Sequence, residues 1–382
     1  MSTMQRILRL MADKKASDVY LSAHSPALIK INGKALPINN QVLPADAPLL
    51  LLAEILPPQR IHELKETGEL NMALPLPGVG NFRISGFKQR GSYAAVIRYI
   101  PIEIPSLKTL NIPPILAELI MEKRGLLLVV GETGAGKSTT LAAMMDHRNA
   151  TSLGHILTIE NPIEFSFKNK KSVVNQREIG SDTPSMQVAL KNALRQAPDV
   201  IFIGEIHDHD SMSAALSLAQ SGHLCVACLH ASNSTQALNR ILSFYSAQMR
   251  SSVRSDLSYA LKAIVSQRLL LTQAGVNTPV VEVMLNTQLI SELIEKGDFS
   301  GIAQAMQQSI SQGSQTFEQD IAKLIANGTI SRKEGLASAD SANDLMWRIE
   351  NNFQALSNKV EAPDEDTNDE ASFTEIILDV KH

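Results

Sequence analysis

Along the first dozen residues the apolar side chains fall at Met4, Ile7, Leu8 and Met11, three or four positions apart, which predicts a helix with one buried stripe. SDVYLSA then alternates apolar and polar residues, the period of a strand with one face on a core. PALIKINGKALPI carries Asn32-Gly33 between two short alternating runs, a strong local signal for a tight hairpin. Two helical patterns follow to about residue 67, and NFRISGFKQRGSYAAVIRYI reads as a strand pair turning near Gly91. Residues 1–100 are therefore expected to form one small α+β domain. Prolines 101, 105, 113 and 114 disfavour helix and predict an extended linker over residues 101–114.

Past the linker the pattern changes. GLLLVVG, HILTIE, DVIFIGE and LCVACLH are short, almost wholly apolar runs separated by helical patterns, as in a mainly parallel sheet covered on both faces. From about residue 255 the chain reads as helical, with SDLSYALKAIVSQRLL and later QTFEQDIAKLIANG expected as helices that close an α/β domain over residues 115–345. A last helical stretch beyond Trp347 leads into EAPDEDTNDE, which has six acidic residues and no basic one, so residues 346–382 are expected to be an acidic, disordered tail.

Composition narrows the possibilities. The chain has 382 residues, 44% apolar and 19% charged, which suits an ordinary globular protein of two domains. Its longest apolar runs fall well short of the ~20 residues that span a bilayer, and charges interrupt the region where a secretory signal needs an apolar stretch. A cytoplasmic protein is expected. The net charge of -4 argues against a general nucleic-acid binder, and two cysteines provide no disulfide framework.

The chemistry begins at GETGAGKS, residues 131–138, which fits G-x-x-x-x-G-K-[ST] with an apolar strand before it and a helical pattern after it. In that setting the backbone of Gly131, Glu132, Thr133, Gly134, Ala135 and Gly136, with Lys137, Ser138 and Thr139 opening a helix, would cradle phosphates. Lys137 is expected on the β- and γ-phosphates and Ser138 on Mg²⁺. DVIFIGE brings Glu205 to the carboxyl end of a strand as a second carboxylate for the magnesium shell. The Asn-Lys pair at 169–170 lacks the Asp of a guanine reader, so ATP is favoured over GTP. HILTIENPIEF ends a buried strand in Glu160, Asn161, Pro162 and Glu164, where one or both glutamates would orient an attacking water.

GHLCVACLH, residues 222–230, spaces two His and two Cys closely enough to raise a metal or redox site. On a strand, His223 and Cys225 share one face while Cys228 and His230 share the other, so four ligands do not converge on one ion. A redox Cys-x-x-Cys normally sits at a helix amino terminus, which a strand does not provide. Core-filling cysteines are the better reading.

Taken with ASDVYLSA, NFRISGF, VIRYIP, VNQRE, LRQAPDVIFIGE and SGHLCVACLHASNS, these motifs resemble, from residue 1 to about 340, the secretion ATPase superfamily and within it the type IV pilus retraction ATPases of the PilT/PilU branch. The resemblance implies a RecA-like P-loop domain behind a small PAS-like domain, with one nucleotide site between the two domains of a hexameric ring. By position it implies Glu164 as the general base with Glu160 close by, Glu205 as the Walker B carboxylate, and His223 and His230 as a pair of nucleotide-sensing histidines. It also implies that Arg83 and Arg98 reach toward the phosphates.

Three departures stand out: Asn161 and His207 replace a usual Asp and Arg, and LISELIEK carries Ser291 and Glu295 where arginines are usual. The loss of that helical signature, with the acidic tail, suggests an accessory paralogue that assists a sister ATPase at an inner-membrane platform protein. The rivals are an extension or type II secretion ATPase, which usually carries a four-cysteine zinc element, and a structural subunit that barely hydrolyses. The segment FTEIILDV, residues 373–380, is expected to offer a short docking motif.

Overall fold

The computed structural model describes residues 1–360 other than 32, 101, 102 and 310, with side chains described as far as residue 351. Helix α1 (Thr3–Asp13) opens with a capping box in which Ser2 and Gln5 satisfy each other's backbone N–H groups, and it buries Met4, Ile7, Leu8 and Met11. Strands β1 (Asp18–Ser22), β2 (Pro26–Ile31) and β3 (Lys34–Val42), helices α2 (Ala47–Ala53) and α3 (Pro58–Thr67), and strands β4 (Glu69–Leu76), β5 (Gly80–Gln89) and β6 (Ser92–Ile100) complete the first layer. The six strands form an antiparallel sheet in the order β3-β2-β1-β6-β5-β4. β5 and β6 are joined through Arg90 and Gly91, both at positive φ, as a two-residue hairpin turn requires. The hairpin expected at Asn32-Gly33 lies partly outside the described residues, and so do the start of the proline-rich linker and the segment 361–382.

The second layer runs α4 (Ile115–Leu119), β7 (Gly125–Val130), α5 (Lys137–Thr151), β8 (Gly154–Glu160), β9 (Ser172–Glu178), α6 (Met186–Ala193), β10 (Val200–Ile203), α7 (His209–Gln220), β11 (Leu224–Leu229), α8 (Ser234–Ser243), α9 (Arg250–Ala260), β12 (Leu261–Leu271) and β13 (Asn277–Leu285). Helices α10 (Gln288–Lys296), α11 (Ile302–Gln307), α12 (Phe317–Ala326), α13 (Arg332–Ser338) and α14 (Ala342–Val360) follow. The sheet order is β13-β12-β7-β11-β10-β8-β9, parallel throughout except for β13. Successive residues of β7 enter opposite cores, Leu126, Leu128 and Val130 on one face and Leu127 and Val129 on the other. Burying each of these side chains stabilises the fold by about 1.5–3 kcal/mol, which is why the strand carries no polar residue. Among the described residues no helix is long and apolar enough to cross a membrane.

One expectation is corrected. LKAIVSQRLL is not a helix but most of β12, a strand enclosed between β7 and β13 and buried over most of its length. Its run of buried side chains has no period-2 signature, so spacing alone could not separate strand from helix. The last helical stretch expected around Trp347 is α14, where Leu345 and Ile349 pack against Phe317 and Ile321 of α12.

Candidate functional site

The parallel register brings the carboxyl ends of β7, β8, β10 and β11 into line, with Val130 beside Leu229 and Ile203 beside both Ala227 and Ile159. Ligands of open α/β sheets bind along this edge. Here it opens into a pocket of about 460 Å³. Thr133, Gly134, Lys137 and Ser138 line one side, and Glu160, Glu164, Glu205 and His230 line another. Asn161 and His207, the two departures noted from sequence, also face it.

The phosphate loop is shaped by backbone geometry. Gly134 and Gly136 both stand at φ of 84°, in the left-handed region that side chains rarely adopt. At Gly136 a Cβ would also lie 2.7 Å from Gln267 Nε2, so a side chain there would be strained and would displace that amide. No side chain caps α5 at that residue, so its first N–H groups point outward as an anion site. Lys137, 9% exposed, donates to the carbonyls of Gly131 at 2.7 Å and Glu132 at 2.9 Å, which fixes its ammonium under the loop. Sequence reasoning missed Gln267 of β12. Its Nε2 donates to Ala135 O at 2.8 Å, and its Oε1 accepts from Thr140 Oγ1 at 2.7 Å, so a buried amide ties the loop to α5 and β12.

The acidic side is assembled from several strands. Glu160, at the end of β8, is 5% exposed, and its Oε1 accepts from Thr158 Oγ1 at 2.6 Å and from Gln176 Nε2 at 3.2 Å. Burial pushes its carboxyl up to about 7, with those hydrogen bonds pulling the other way. Gln176 of β9 also donates to Phe165 O at 2.8 Å and accepts from Phe167 N at 2.8 Å, while Glu178 accepts from Ile163 N at 3.0 Å. These two residues hold the loop that carries the exposed Glu164. Their only sequence signal was a polar run, NQRE, at the end of an otherwise apolar strand.

Glu205 follows β10 between two imidazoles. Its Oε1 lies 2.6 Å from His230 Nε2 and its Oε2 3.4 Å from His207 Nε2. The closer contact is not aligned as a hydrogen bond, so Oε1 is a buried oxygen without a well-directed donor.

Three expected site residues are not brought to this pocket. His223 precedes β11 and His230 follows it, which separates them by about 23 Å of extended chain. His223 instead pairs with Ser221 Oγ at 3.1 Å. Of the two histidines, His230 alone is among the described residues that line this pocket. Arg83 and Arg98 face each other across β5 and β6 in the first sheet, and neither is among the described residues that line the pocket. Arg98 donates from Nε to Oδ1 of the buried Asp18 at 3.0 Å, which offsets the repulsion between the two guanidinium groups. Asn81, two residues before Arg83, donates to Ser166 Oγ at 2.6 Å and so joins the first sheet to the acidic loop.

Cys225 and Cys228 point into the cores on opposite faces of the second sheet. Burial pushes the Cys225 thiol up to about 12 and the Cys228 thiol up as well, so both stay protonated in the core. Of the residues that depart from the usual retraction signature, Ser291 donates to Ser258 O at 2.9 Å and binds α10 to α9, whereas Glu295 is exposed.

The family profile described as Type II/IV secretion system protein matches residues 66–277, more than half of the sequence. The chain belongs to this family. This secretion-family protein is 44% identical over 346 residues to the type IV pilus ATPase PilU of Pseudomonas aeruginosa, covering 90% of this chain and 91% of that one. It is 36% identical over 333 residues to the type IV pilus retraction ATPase PilT of the same organism, covering 87% and 97%. The crystal structure of the pilus retraction motor PilT with bound ADP matches it with a TM-score of 0.84 at 36% identity, over 91% of this chain and 99% of that one. The secretion-family chain is thus a P-loop ATPase of the PilT/PilU kind, with the mainly parallel α/β fold behind a smaller antiparallel sheet.

Proposed function

We propose that this ATPase works in type IV pilus retraction, as an accessory motor beside a sister ATPase. The observation that carries the reading is one pocket in which a phosphate loop faces Glu160, Glu164, Glu205 and His230. The likeness to PilU and PilT supplies the pilus context. In the proposed cycle Lys137 and the amino terminus of α5 hold the β- and γ-phosphates. Glu164, exposed on its loop, takes the proton of the attacking water, and Glu160 passes between neutral and ionised forms beside it.

The Ser138 hydroxyl and the under-bonded Glu205 carboxylate suit Mg²⁺, a cation that takes oxygen ligands and keeps several waters. When bound, that ion would neutralise charge on the phosphates.

Further parts of the proposal rest on the family likeness. The chain forms a homo-hexamer, in which Arg83 and Arg98 serve a neighbouring copy's pocket. Residues 1–100 and 115–345 move as two bodies about residues 101–114. The ring docks on a platform protein at the cytoplasmic face of the inner membrane and needs no nucleic acid. Retraction then returns pilin to the membrane. A deletion strain complemented with wild type or Lys137→Ala, scored with and without the sister motor, tests this: equal retraction by both chains would contradict it.

A second reading, a subunit that binds nucleotide but barely turns it over, draws on Asn161 and His207 facing the pocket. Turnover of the purified protein no higher than that of Lys137→Ala would favour it.

A further inference from the structure

The segment that follows His230 is held at three consecutive residues by groups far away in the chain. Ser232 O accepts from Arg268 Nη2 at 3.2 Å. Asn233 Nδ2 donates to Asp340 Oδ2 at 3.0 Å, while its Oδ1 caps α8 through Gln236 N. Ser234 donates from both its backbone N, at 2.8 Å, and its hydroxyl, at 2.7 Å, to the buried Glu282 of β13.

Arg268 links these supports. It leaves β12 on the face opposite to Gln267 and forms an ion pair with Asp340. It also donates to Ser338 O at 2.8 Å, and its guanidinium lies 4.0 Å from the centre of the Phe317 ring. The loop between α13 and α14 is thereby fastened to the chain two residues beyond the imidazole that touches Glu205. Gln267, on the other face of the same strand, buttresses the phosphate loop. One strand thus supports both sides of the pocket, and the helices after β13 reach the site through Asp340.

We propose that Arg268 and Asp340 are positioning residues for ATP turnover: by clamping residues 232–233 they hold His230 against Glu205, so that α12–α14 control the catalytic step without touching nucleotide. The proposal deepens the ATPase reading and rests on it. Asp340 is partly exposed, so its removal tests the clamp with little risk to folding. Truncation leaves the amide of Asn233 and one arm of Arg268 without their shared acceptor, which frees the segment rather than unfolding it.

The experiment compares Asp340→Ala and Asp340→Glu with wild type in full-length protein, measuring kcat and KM for ATP together with amide hydrogen exchange over residues 230–238. Asp340→Ala is expected to lower kcat about tenfold with KM within about twofold, and to speed exchange over 230–238. Asp340→Glu is expected to recover at least half of the lost kcat. An unchanged kcat in Asp340→Ala, a parallel loss of kcat and nucleotide affinity, or no rescue by Asp340→Glu would each overturn the proposal. Should wild type turn over ATP no faster than Lys137→Ala, hydrolysis itself fails, and exchange then decides the clamp alone: unchanged exchange over 230–238 in Asp340→Ala refutes it, and faster exchange upholds it.

Discussion

The phosphate loop and the acidic wall border the same pocket but are built on different plans. The loop closes largely on itself: Lys137 is satisfied by carbonyls five and six residues back, and one distant amide, Gln267, braces the turn. The acidic wall has no such local closure. Glu160, Glu205 and His230 arrive from the ends of three strands, and Glu160 depends on Thr158 and on Gln176 of a fourth. A contiguous loop suits a task that is the same in every cycle, holding phosphate. A wall made of separate strand ends can change its geometry when those strands, or the loops after them, shift.

That contrast can be broken most severely at Lys137. Lys137→Ala removes the charge under the loop, and turnover is expected to fall about 100- to 1,000-fold. A steady-state phosphate-release assay checks it, and retention of even a third of wild-type turnover would mean that the loop is not where the γ-phosphate is held.

On the acidic side the expected effect is one of pH. Because burial raises the Glu160 carboxyl from 4.5 to about 7, the folded chain binds more protons than the unfolded chain between those values. Stability therefore falls as pH rises through that window, by on the order of 3 kcal/mol at most, and stays low above it. In Glu160→Gln this slope should vanish, leaving the variant more stable than wild type at neutral pH. Thermal melts from pH 5 to 8 that run parallel for the two proteins would show that Glu160 ionises as easily in the pocket as in water.

A smaller effect sharpens the loop side of the comparison. Gln267→Leu leaves Ala135 O and the Thr140 hydroxyl without their buried partner, at a cost of about 2 kcal/mol, and nucleotide binding should weaken with it. An unchanged urea midpoint would remove Gln267 as a brace. Smallest of all, Asn81→Ala loses one exposed hydrogen bond between the first sheet and the acidic loop, and stability should change by about 0.5 kcal/mol or less. A loss above about 2 kcal/mol by the same measurement would show that this contact does more than align the two layers.

The same difference governed what could be read from the sequence. A contiguous motif announces itself, so residues 131–138 and the strand before them were legible at once, and the apolar runs that became β8, β10 and β11 set the edge on which Glu160, Glu205 and His230 stand. Long-range supports leave no such trace. Gln267 lay hidden in a run taken for helix, because β12 is enclosed by neighbours and shows no alternation. The separation of His223 from the pocket has a simpler reason, since two histidines near in sequence stand at opposite ends of one strand. Ser291 was noted only as a missing arginine, whereas its hydroxyl proves to tie two helices together, a partnership that spacing does not disclose.

The central claim is that ATP is cleaved where the loop meets the acidic wall, and Glu205→Gln tests it most directly, since the amide keeps the shape of the side chain and removes its charge. Affinity for a fluorescent ATP analogue and turnover should be measured on the same preparation. The account predicts affinity within about threefold of wild type and turnover lower by about 100-fold. Turnover equal to wild type at equal affinity would contradict it.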